Sequence, residues 1–149
     1  MLSLHFSVKE WTRNKHNIKN VPSDIQLERG KALAVAILEP WRAKVGPIHI
    51  NSGFRNEEVN QLADGVSNSQ HQLGEAADCR PLNKILTLTE CFKELIKLNL
   101  DIDQAILYPT RGFIHVSHKS DRTKSTAQLS SNRREYLYSP SKGRYFPWV

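Results

Sequence analysis

Apolar residues change their spacing several times along the chain, and each change marks an element. Leu33, Ile37 and Trp41, with Ala34 and Leu38 beside them, recur every three or four positions and trace one face of a helix. Ser23 and Gln26 form a capping box at its start, each side chain accepting an amide that the first turn leaves unpaired. Pro40 has no amide and crowds the turn before it, which predicts a kink or interruption. Ser7 and Glu10 repeat the box ahead of a short helix reaching about Thr12. Thr87 and Glu90 repeat it ahead of a helix ending near Leu98, whose buried face is Leu88, Phe92, Leu95 and Ile96.

Elsewhere the period falls to two. Residues 48–52, IHINS, alternate as a strand, followed by a GFRN loop and a helix over 57–63 that Gly65 can close. EAADC, 75–79, reads as a further short strand whose small residues let a neighbour approach. QAILY and FIHVS, separated by Pro109-Thr110-Arg111-Gly112, predict a hairpin with a four-residue loop. Direct pairing across it opposes Tyr108 to Phe113, Ile106 to His115 and Gln104 to Ser117. Gln104, Tyr108 and His115 then share a face, while Asp103 and His118 lie on the other.

The 149 residues, 39% hydrophobic and without internal repeats, fit one domain over 1–149 with its own core, expected to be a monomer. Lys9, Glu10 and Arg13 interrupt the N-terminal apolar positions, and no stretch reaches membrane-spanning length. The expectation is a soluble chain with no signal peptide and no membrane partner. Cys79 and Cys91 sit in unlike contexts, which predicts buried thiols rather than a bridge. The net charge of +6 is concentrated in 119–149, where Lys119, Arg122, Lys124, Arg133, Arg134, Lys142 and Arg144 face only Asp121 and Glu135. That segment suits anionic polymers, a bacterial wall among them. Nucleic acid is the weaker reading, because no helix-turn-helix, zinc-finger or RNA-binding signature accompanies the charge. Tyr136, Tyr138, Tyr145, Phe146 and Trp148 predict that the segment packs back on the domain, with a mobile middle.

The candidate chemistry lies in SQHQLGEAAD, 69–78, where His71 and Asp78 flank a glycine and two alanines. A catalytic zinc takes three protein ligands and keeps one position open. His115 in FIHVS is the best third ligand, and strand alternation turns His118 away. His5, His16, His49 and His118 read as surface or hydrogen-bonded histidines.

The pattern Ser69-x-His71-x-x-Gly74-x-Ala76-x-Asp78, after Ser52-Gly53-Phe54-Arg55 and Asn60 and before Phe113-Ile114-His115-Val116-Ser117, resembles the zinc D-alanyl-D-alanine carboxypeptidase and L-alanyl-D-glutamate endopeptidase family. The likeness is closest to its small single-domain bacterial and phage branch, and runs from HFSVKEW to NRREYL. It implies an α+β fold in which a small antiparallel sheet, flanked by helices, carries the zinc. It also implies ligands His71, Asp78 and His115 with water in the open position, and hydrolysis of peptidoglycan stem or cross-link peptides. Arg55 corresponds to the arginine over the scissile carbonyl, and Ser69 and Gln70 to the edge that contacts substrate backbone. Gly74, Ala76 and Ala77 then act as spacers holding His71 and Asp78 toward one ion. The location implied is cytoplasmic until lysis, or on a virion if the chain is phage-encoded.

One departure stands out. The family supplies a Glu or Asp shortly before the last histidine, and 108–112 has none. Tyr108 and Gln104, on the His115 face, are the residues available there, Tyr108 as an electrostatic aid and Gln104 as a substrate contact. Glu75 or a substrate carboxylate is then the base. Two readings stay open: an active peptidase, and a catalytically weak module that keeps zinc and binds wall peptide.

Overall fold

The computed structural model describes residues 1–120 and 132–149. In chain order the elements are helices α1 (Val8–Thr12) and α2 (Asp24–Leu33), a π-helical turn (Ala34–Leu38), α3 (Glu39–Val45), strand β1 (Ile48–Ser52), α4 (Glu57–Leu62), α5 (Gln70–Leu73), β2 (Ala76–Pro81), α6 (Leu88–Lys97), β3 (Gln104–Tyr108), β4 (Phe113–Ser117), β5 (Glu135–Ser141) and β6 (Arg144–Pro147). The class is α+β, as expected. All three capping boxes form. The interruption predicted at Pro40 is the π turn just before it: the Glu39 amide reaches back to Ala34 O, and Pro40, with no amide to place, lies in the first turn of α3. Leu33, Ile37, Leu38 and Trp41 stay fully buried across the turn.

The strands form one sheet in the order β1-β2-β4-β3-β5-β6. Its pairings are antiparallel except β3 with β5, which run parallel. The hairpin register is the predicted one, with Tyr108 opposite Phe113, Ile106 opposite His115 and Gln104 opposite Ser117. Alternation gives the sheet two chemically different faces. Ile50, Ala77, Cys79, Ala105, Leu107, Ile114 and Val116 join the helices in an apolar cluster with Trp11, Trp41 and Phe92. The alternate positions, Asp78, Gln104, Tyr108 and His115, open onto the other side. A bulge between Ile50 and Ser52 sets Ser52, not Asn51, opposite Asp78.

Several details differ from the sequence reading. The strand read as 75–79 begins one residue later and runs on to Pro81, while the segment before it folds into the short α5. Gly65 does not supply the left-handed residue after α4. Asp64 does, at φ 60°, with its amide on Gln61 O and that of Gly65 on Asn60 O, a Schellman closure. The C-terminal segment packs back as expected, but as strands: Trp148 meets Phe92 edge-on at 5.2 Å and its amide bonds Tyr136 O at 2.8 Å. The mobile middle expected of that segment, with Asp121, Arg122 and Lys124, falls at 121–131, outside the described residues. Both cysteines are free and buried, and burial pushes both thiols up. Among the described residues no helix is long and apolar enough to cross a membrane.

Candidate metal centre and cleft

His71 is carried by α5, a helix made by its two caps. Ser69 Oγ accepts the His71 amide at 3.2 Å, and Gly74 ends the turn at φ 82°, a conformation side chains disfavour. A Cβ at Gly74 would also lie 2.5 Å from Gln26 O, so the glycine lets α2 close over the turn. Gln26 Nε2 then donates to Gln72 O at 2.9 Å. Asp78 and His115 come from adjacent strands and oppose each other in register.

These three side chains converge. Asp78 Oδ1 lies 3.3 Å from His71 Nε2 and 3.0 Å from His115 Nδ1, and one ligand atom from each residue falls within 4.8 Å of the others. His71 Nδ1 donates to Gly53 O at 2.7 Å, so the neutral ring presents the lone pair of Nε2 to the carboxylate. Burial holds the His71 pKa below its usual value against the pull of Asp78, which favours that neutral form. For Asp78 burial alone would raise the pKa. The neighbouring His71 and His115 rings outweigh it, holding the carboxyl well below the usual range. Two acceptors meeting in a buried space call for a cation between them. Tetrahedral zinc bonds of about 2.0–2.1 Å separate neighbouring donors by about 3.3 Å, so the nitrogen and oxygen set fits that ion. No other such group of His, Cys, Asp or Glu occurs among the described residues.

Around the cluster lies a cleft of about 570 Å³. Arg55 is held by three contacts: Nε to Ser52 Oγ at 2.9 Å, Nη1 to Asn60 Oδ1 at 3.4 Å and Nη2 to Asp78 Oδ2 at 3.2 Å. It therefore both braces the loop and presents a fixed cation beside the metal set. Asn60 is buried and also donates to Val66 O and Gln72 Oε1, so it organises the cleft edge. Tyr108 lines the cleft, stacked on Phe113 at 4.5 Å, with its hydroxyl 3.5 Å from that of Tyr145. Burial and Tyr145 push its pKa far up, so the phenol is a donor and not a base.

Ser69, Gln70 and Gln104 all border the cleft. Two have their amides engaged already: Gln70 Nε2 on Asp103 Oδ2 at 3.0 Å, and Gln104 Nε2 on Glu135 Oε1 at 2.6 Å. Glu75, expected as a possible base, is fully buried and does not border the cleft, because the strand starting at Ala76 carries its side chain into the interior. His118 is turned away, its Nδ1 on Asp101 O at 2.7 Å. Three features had not been read from the sequence. Gly53 acts through its carbonyl, which no residue type advertises. Leu137 from β5 and Tyr145 from β6 wall the cleft. Asp64 is, among the described residues, the one lining carboxylate outside the metal set.

A family model described as Peptidase M15 matches residues 4–117. No curated protein matches the chain.

Proposed function

The chain belongs to the Peptidase M15 family, and on that premise we propose that it is a zinc-dependent peptidase cutting peptide bonds in the stem or cross-link peptides of peptidoglycan. The observation that carries the reading is the meeting of His71 Nε2, Asp78 Oδ1 and His115 Nδ1 on an open cleft. Zinc bound there supplies a Lewis acid that polarises a carbonyl and makes water a nucleophile near neutral pH.

The chain's own residues do the rest. Gly53 O fixes the His71 tautomer, and Asp78 stays ionised between its partners. Arg55 is held so that its charge faces oxygen that becomes negative in the transition state, a contribution of about 3 kcal/mol for a preorganised donor. Tyr108 offers its hydroxyl proton to the same oxygen or to the leaving amine. Asp64, ion-paired with Lys142 at 3.1 Å, is the lining carboxylate free of the metal set and our candidate to take the proton from water.

The alternative is a zinc-containing module that binds wall peptide without cutting it. It draws support from the lack of a carboxylate in 108–112. Incubating the zinc-loaded protein with purified peptidoglycan and weighing the released fragments separates the two. New peptide termini identify the bond cut and are expected to diminish about a hundredfold in rate in Arg55→Ala. Retention on the wall without any fragment would sink the peptidase and leave the binding module.

A further inference from the structure

Beside the metal cleft lies a second cavity of about 320 Å³, and the two share the wall formed by Arg55, Asp78, Arg111 and Phe113. Its charge is one-sided. Arg13, Lys15, Arg55 and Arg111 line it against a single carboxylate, Asp78, which Arg55 and the two histidines already engage. Among the described residues the side chains of Arg13, Lys15 and Arg111 have no carboxylate partner. In the C-terminal segment, by contrast, Lys119 and Arg133 are neutralised on Asp103 and Lys142 pairs with Asp64.

Arg111 is held in place, and so is the backbone that carries Arg13 and Lys15. Arg111 lies over the rings of Tyr108 and Phe113, at 5.3 and 4.9 Å from their centroids, which fixes the guanidinium at the mouth. Arg13 and Lys15 sit on the connection after α1, which is braced from within. Asn14 Nδ2 donates to Ile18 O, and its Oδ1 accepts the amides of His16 and Ile18. Asn20 ties the base of that connection to the Arg55 loop, donating to Thr12 O at 2.8 Å and Phe54 O at 2.7 Å. Like charges gathered on a braced wall whose one carboxylate is already engaged have a cost in self-repulsion, which an anionic ligand relieves.

We propose that this cavity is a carboxylate subsite: Arg13, Lys15 and Arg111 take a free carboxylate of the peptide whose scissile bond lies at the metal centre. The proposal rests on the peptidase reading. A wall stem peptide carries carboxylates of two kinds, the α-carboxylate of its glutamyl residue and that of its C-terminus. The subsite selects which bond is cut by anchoring one of them a fixed distance from the metal set.

The test titrates the full-length, zinc-free chain by NMR with the synthetic tetrapeptide L-Ala-γ-D-Glu-L-Lys-D-Ala, so that no hydrolysis intervenes. The free acid is compared with its C-terminal amide and with the form amidated at the glutamyl α-carboxylate. Arg13→Ala/Lys15→Ala is expected to weaken the free acid about tenfold, as is Arg111→Gln, while Arg111→Lys keeps most of the affinity. One amidated peptide should show the same loss in the unsubstituted chain and little further loss in the variants, which identifies the carboxylate. The exposed Arg13 and Lys15 carry no core contact, so the double variant folds. Equal binding of the acid and both amides, or a double variant that binds the acid as tightly as the unsubstituted chain, overturns the subsite. A chain that releases wall fragments yet shows that equality keeps the peptidase and loses the subsite. A chain that releases none loses the reading on which the subsite rests.

Discussion

His71 takes its tautomer from a main-chain carbonyl, and that carbonyl depends on a glycine for reasons of space. A Cβ at Gly53 would lie 2.2 Å from Trp11 Cδ1 and 2.3 Å from Trp11 O. Trp11 is fully buried and its carbonyl accepts the Phe54 amide, so neither atom can retreat. Gly53→Ala should therefore displace Gly53 O, release His71 Nδ1 and weaken zinc about ten- to a hundredfold, the usual effect of losing the partner of a ligating histidine. Competition with a chromophoric chelator measures it, and His118→Ala, whose ring faces Asp101, serves as the control that keeps zinc. Unchanged affinity in Gly53→Ala would remove the carbonyl from the account. At this scale the sequence was legible where chemistry resides in side chains. His71, Asp78 and His115 stood out by type and spacing, and strand alternation separated His115 from His118. Gly53 could be quoted in a motif, but its acceptor role belongs to a backbone atom that every residue has.

The element least legible beforehand is the pair β5 and β6. Its aromatic residues predicted packing, but β5 finds its partner β3 in parallel from across the intervening chain, and local alternation says nothing about so remote a pairing. Asp103, just before β3, supplies the connection. The hairpin register turned it away from His115, and there it is fully buried, accepting two hydrogen bonds from the Arg133 guanidinium, at 3.1 and 2.9 Å, with Lys119 Nζ at 3.2 Å. Burial opposes its ionisation, but these donors win and hold its pKa at about 2. The folded value lies below the unfolded one of about 3.9, so the ionised form favours folding: the contribution is complete above about pH 5 and disappears as pH falls through about 2. Its size is about 2 kcal/mol. Denaturant unfolding of the zinc-free protein and of Asp103→Asn should differ by roughly that amount at pH 7 and converge toward pH 2. A gap that stays constant over this range would mean that the Asp103 charge does not hold the C-terminal strands.

For the whole molecule, the class and the hairpin were readable because periodicity and capping are local, whereas the strand order depends on how distant segments pack. The site joins those distant segments: His71 comes from α5, Asp78 from β2 and His115 from β4, so an ion held by all three links the short helix to the centre of the sheet. The rest of the fold does not need that link. Trp11, Trp41, Phe92 and Leu95 are fully buried in a cluster on the opposite face, built without any of the three ligand side chains. The zinc-free chain should therefore remain folded at 25 °C, unlike small domains whose only core is the metal. Zinc at a thousand times its dissociation constant adds about 4 kcal/mol by mass action. For a chain of this size each kcal/mol moves Tm by about 2–4 °C, so chelation should lower Tm by about 10 °C, and zinc, not magnesium, should restore it. His115→Ala provides the internal check. With one ligand gone its Tm should sit near that of the chelated protein and respond little to chelator. If chelation leaves the unsubstituted chain's Tm in place, the three side chains do not hold an ion in the folded state, and the convergence of His71, Asp78 and His115 must be explained by a proton shared among them instead.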